Sequence, residues 1–152
     1  MSNVVGLVRS LPEGFRDLLG ERPIDGPRRE RSCRRHAPGS PTAIERLICV
    51  RDLVHATADH LERLARDVRP VEARCDLSEP IAGYHRWDPD EVISVLAWES
   101  DRLARVAEGR AVDDWLPAGL RHGMALIITE LLGHVLAEAA QQLSKAELAL
   151  GS

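Results

Sequence analysis

The sequence predicts an all-α protein, an antiparallel four-helix bundle. Three observations carry this. Apolar residues recur at i, i+3, i+4 spacing in four separate segments, the signature of a helix with one buried face. No stretch alternates apolar and polar residues long enough for a strand. Aromatic residues are 3% of the chain, so Leu, Val, Ile and Ala must fill the core, which favours helix packing over a sheet sandwich.

The first segment places Val4, Val8, Leu11, Phe15 and Leu18 on one stripe, predicting a helix over 4–19. Ser10-Leu11-Pro12-Glu13 reads as a capping box with proline in the first turn, so the helix is expected to restart or kink there. Gly20 is the expected stop. Residues 21–43 read as a long basic connection, rich in Pro, Gly and Arg. A solvated loop is the plain reading of its arginines; a phosphate or nucleic-acid contact is the sharper one.

The second helix is expected over 43–67, with Leu47, Val50, Val54, Ala58 and Leu61 as its apolar face. The next connection ends in Tyr84-His85-Arg86-Trp87. Asp88-Pro89-Asp90-Glu91 then opens the third helix, with Asp88 as cap, Pro89 at the first helical position and Glu91 completing a box. Val92, Leu96, Leu103 and Val106 carry the pattern toward 108. The fourth helix is expected over 118–148, with Leu131, Val135, Ala139 and Leu143 facing the core.

A chain of 152 residues fits one domain, 1–152, with a sizeable core. Its net charge of −4 gives no global bias toward nucleic acid or anionic membrane. The uninterrupted apolar stretches fall short of the ~20 residues that span a bilayer. Three cysteines, Cys33, Cys49 and Cys75, form no CxxC and no disulfide framework, so a reducing cytoplasm is the expected home. No leader-like segment is read at the N-terminus.

Several stretches together resemble the DinB-like superfamily in its actinobacterial form. They are Arg35-His36-Ala37-Pro38-Gly39-Ser40, Ala43-Ile44-Glu45-Arg46-Leu47, Val50-Arg51-Asp52-Leu53, Tyr84 with Trp87-Asp88-Pro89, and His134, Glu138 and Leu143. The resemblance spans about 4–148 and implies a four-helix fold. It also implies relatives that are metal-dependent thiol transferases or isomerases. Their metal would sit on a second-helix His just before the Val-Arg-Asp run and on a pair one turn apart on the last helix.

This chain departs from that pattern. Cys49 stands at the second-helix position, and the last helix reads Ala137-Glu138-Ala139-Ala140-Gln141-Gln142. A glutamine amide is a poor ligand for a borderline transition metal. No metal and no other cofactor is therefore expected, and the protein is expected to purify without stoichiometric zinc, nickel or iron.

The leading expectation is a metal-independent small-molecule enzyme, performing group transfer, cyclisation or rearrangement, in bacterial secondary metabolism by analogy. Its acid–base candidates are Cys49, Glu138, His134 and His85; Gln142, Gln141, Tyr84, Trp87 and His55 are the substrate-binding candidates. One alternative is a non-catalytic small-ligand-binding or protein-interaction scaffold. Another is a thiol-dependent transferase with a metal site rebuilt from Cys49, His134 and Glu138. The expected partner is a small molecule, with no nucleic acid and no membrane; a homodimer is left open.

Each candidate also has a bland reading. Cys49 fits a buried hydrophobe. His55 and His60 fit a solvated face beside Asp52, Asp59 and Glu62. His134 fits a solvated side chain near Glu130. Trp87 fits a staple before the helix cap, and Trp98 and Trp115 fit packing residues. A dry apolar pocket without titratable groups favours binding, whereas a pocket joining Glu138 to a His or Cys favours an enzyme.

Overall fold

The computed structural model describes residues 2–19, 41–63, 77, 81, 87–111 and 118–151. Four helices make up the described fold: α1 (Ser2–Leu19), α2 (Ala43–Arg63), α3 (Pro89–Ala111) and α4 (Ala118–Gly151). They pack against one another as an all-α four-helix bundle, and no strand occurs among the described residues. The Arg-rich stretch 21–40, Tyr84, His85 and Trp115 lie outside the described residues.

α1 and α2 stand at opposite corners, and each packs on both α3 and α4. The α2–α3 pair departs from the antiparallel expectation. His55 of α2 meets Glu99 of α3, while Asp59 and Glu62, further along α2, meet Arg102, further along α3. The contacts climb both helices together, so α2 and α3 run in the same direction. Ile81 and Trp87, which precede α3, accordingly lie beside Glu45 and Arg51 in the first half of α2.

Burial follows the expected periodicity, with a rotation in two helices. In α2, Leu47, Val50, Val54, Ala58 and Leu61 are all buried. In α1 the most buried stripe is Val5, Val8, Phe15 and Leu19; Val4, Leu11 and Leu18 flank it. In α4 it is Ile128, Leu132, Val135, Ala139 and Ala146, with Leu131 and Leu143 at the flank. A helix wedged between two neighbours buries an arc wider than a single seam, which accounts for both flanks.

α1 does not restart at Ser10. The helix runs unbroken through Pro12, and the Ser10 hydroxyl donates to the Leu7 carbonyl at 2.9 Å instead of capping a new turn. Pro12 can offer no N–H to the carbonyl four residues back, but its ring is buried in the core. The caps of α2 and α3 are side-chain caps. Asp88 Oδ1 accepts the Asp90 N–H at 3.1 Å, as expected of the residue before Pro89.

α4 has 34 residues. Its segment Gly123–Leu150 is long and apolar enough to cross a bilayer by length and composition, with a mean hydropathy of 1.4. The sequence-based reading looked for an uninterrupted apolar run. Here Glu130, Glu138, Lys145 and Glu147 are dispersed along the helix. In this fold one face of α4 supplies core side chains to the bundle.

Candidate functional site

Two adjacent regions compete for the description of a site: the α2–α4 seam, where the expected chemistry would lie, and a groove between α1 and α4. The seam begins with the α2 cap. Thr42-Ala43-Ile44-Glu45 forms a reciprocal capping box. The Glu45 N–H donates to Thr42 Oγ1 at 3.2 Å, and the Thr42 N–H donates to Glu45 Oε1 at 3.1 Å. The other Glu45 oxygen accepts the Ile81 N–H at 3.0 Å. Glu45 is fully buried, yet its carboxylate is engaged by backbone donors on both sides. It is a fastening between α2 and the segment leading to α3.

Arg46 follows. Its Nη1 donates to Gln142 Oε1 of α4 at 2.7 Å, and its Nε is buried without a partner among the described residues. Burial lowers the guanidinium's pKa from its ordinary value; the negative charges of Glu45 and of an ionised Cys49 oppose that shift. Cys49, three residues on, is buried and in no disulfide. Gln142 is buried as well. The seam is thus closed by an arginine–glutamine hydrogen bond.

The remaining candidates are scattered. Glu138 is half-buried on α4, one turn before Gln142; His134 and Gln141 are exposed. Among the described residues no three His, Cys, Asp or Glu side chains come together in a way that could hold a metal ion. Cys49, His134 and Glu138 therefore do not assemble the rebuilt metal site. Trp87 is 41% exposed, with the Arg51 guanidinium 5.0 Å from its ring centroid, so it stacks under a cation and does not act as a buried staple. Trp98 corrects the packing expectation: it is 60% exposed on α3.

His55 belongs to a different cluster. Its Nδ1 lies 2.7 Å from Glu99 Oε1 and its Nε2 lies 3.3 Å from Asp59 Oδ2. Arg102 reaches Glu99 at 3.0 Å, Glu62 at 2.9 Å, and Asp59. Hydrogen bonds to Glu62 and Asp59 raise the Arg102 pKa above its ordinary value, and the Arg102 bond holds Asp59 below its own. The Glu99 side chain is only 7% exposed, so this is a partly buried ionic clasp. It pins α2 to α3.

The groove lies on the other side of α4. Leu7, Ser10, Leu11, Gly14 and Phe15 of α1 face Leu136, Ala139, Ala140 and Leu143 of α4 around about 300 Å³. Its size is at the lower end for small-molecule sites, which are mostly apolar with few polar groups. None of its lining side chains titrates, and the hydroxyl of Ser10 is already committed to Leu7. Ala139 and Ala140 leave the space that larger side chains would fill.

Sequence reasoning passed over Arg102, Glu99 and the groove residues Leu7 and Gly14. The capping box at Thr42 was legible as a Thr-x-x-Glu pattern before an apolar run. The chain matches no family model, no curated protein and no solved structure.

Proposed function

We propose that this chain is a small-ligand-binding bundle, of DinB-like type, that seats an apolar molecule between α1 and α4. The observation carrying this reading is the 300 Å³ groove, lined by Leu7, Leu11, Phe15, Leu136 and Leu143 and by no titratable side chain. Binding there draws on the transfer of apolar surface out of water and needs no proton donor. On this reading the partner is a small molecule rather than nucleic acid or a membrane, and the cytoplasm suits a Cys49 that is in no disulfide.

Acid–base catalysis without a metal is the second reading. The observation favouring it is the partly buried Arg46 guanidinium beside Cys49, hydrogen-bonded to Gln142. A cation placed there would stabilise a thiolate. That reading asks for a cavity joining Glu138 to Cys49, and the described cavity is lined by neither.

The test is a fragment screen with uncharged apolar molecules, read by methyl resonances of Leu and Ala. Saturable shifts confined to the groove, lost in Ala140→Leu, are the expected result. Shifts centred on Cys49 and Glu138 would transfer the site to the α2–α4 seam.

A further inference from the structure

We infer that the contact between Gly14 and Leu143 sets the length of the molecule the groove accepts, and that this molecule is an uncharged aliphatic chain. The inference rests on the reading of the groove as a ligand site.

The helices approach closely at this point. A Cβ built on Gly14 would lie 2.8 Å from Leu143 Cδ2 and 3.9 Å from Leu143 Cδ1. Carbon atoms of separate side chains do not approach to 2.8 Å, so Leu143 holds its present rotamer only because position 14 has no side chain. Leu143 is also a wall of the groove. One side chain therefore answers to Gly14 on one side and to the cavity on the other. Any group added at 14 moves Leu143 and changes the volume beside it.

The chemistry of the ligand follows from the lining. Leu7, Leu11, Leu136 and Leu143 supply aliphatic surface, and Ala139 and Ala140 leave room between the helices. A charged group seated among these residues would have no counter-charge and no free donor, because the Ser10 hydroxyl is turned to the Leu7 carbonyl. The volume is about twice that of a cavity known to take up benzene, which suits a short alkyl chain.

The experiment titrates a series of straight-chain primary alcohols, hexanol to decanol, into wild type, Gly14→Ala and Leu143→Ala. Binding is followed by methyl resonances, and folding by circular dichroism. Wild type is expected to prefer one length. Leu143→Ala should move the preference to longer alcohols by about three carbons, the number removed from the wall. Gly14→Ala should weaken binding of the preferred alcohol by about tenfold, the usual penalty for a misplaced methylene in an apolar pocket. Should Leu143→Ala fail to fold, Leu143→Val makes the same test with a smaller change. Saturable binding to wild type with an unchanged length preference in every folded variant overturns this inference and leaves the ligand-site reading standing. No saturable binding of any alcohol to wild type overturns both.

Discussion

The Arg46 guanidinium of α2 donates to the Gln142 amide oxygen of α4 at 2.7 Å, and both side chains sit in the seam between the helices. The two ends of this bond are not equivalent. Gln142→Leu removes the acceptor and leaves a partly buried cation whose Nε already has no partner among the described residues. That substitution is expected to cost about 2 kcal/mol, the desolvation penalty of an orphaned charged donor. Adding Arg46→Met to it should recover much of the loss, because an apolar pair then fills the seam. Urea denaturation of the two single variants and the double variant measures the coupling.

The ionic clasp between α2 and α3 is more demanding. Arg102 neutralises Glu99, whose side chain is 7% exposed, and also binds Asp59 and Glu62. Arg102→Met removes the cation and leaves the partly buried Glu99 carboxylate against the His55 ring, 2.7 Å away. A loss of about 3 kcal/mol is expected, the lower range for breaking a buried pair from one side. Glu99→Gln placed on that background should restore part of the stability. Thermal or denaturant unfolding of both variants provides the check.

The same clasp dictates a direction for acid stability. The Arg102 hydrogen bond depresses the Asp59 pKa below its ordinary 3.8. A depressed carboxylate contributes stability that is present above its unfolded value and is lost as pH falls through its folded value. The contribution of Asp59 should therefore persist at neutral pH and disappear below about 3.8. Asp59→Asn is expected to lower stability at pH 7 and to flatten the acid limb of the stability curve. An acid limb identical to wild type would contradict the assignment.

The Thr42–Glu45 box closes the N-terminus of α2 and ties it to Ile81. Thr42→Ala should cost about 1 kcal/mol, as for other side-chain caps. Glu45→Gln should cost more, about 2 kcal/mol, since an amide has one acceptor oxygen where the carboxylate serves donors on both sides. Amide hydrogen exchange of Thr42 and Ile81 should accelerate in Glu45→Gln, whereas in Thr42→Ala the effect should stay at the Glu45 amide.

The helices were legible because periodicity reports burial directly: the α2 face Leu47, Val50, Val54, Ala58 and Leu61 is buried as read. The relative direction of α2 and α3 was not, because it is fixed by cross-helix partners such as His55 with Glu99 that no local pattern announces. Trp98 was misread for a related reason. A large apolar residue suggests core, but its position opposite Leu96 and Leu103 on the helix turns it outward. The groove was invisible because it depends on what is missing, a Cβ at Gly14 and bulk at Ala139 and Ala140, rather than on any reactive side chain.

Two neighbouring helices that point the same way cannot be joined by a tight turn. α2 is 21 residues long, and its end must be linked to a helix that starts back beside its beginning. That return covers about 30 Å at the helical rise of roughly 1.5 Å per residue. An extended chain needs about nine residues for such a distance, so the stretch 64–88 has a minimum length below which this topology is geometrically forbidden. Engineered changes of length there should therefore be one-sided: insertions cost little entropy, while deletions meet a floor.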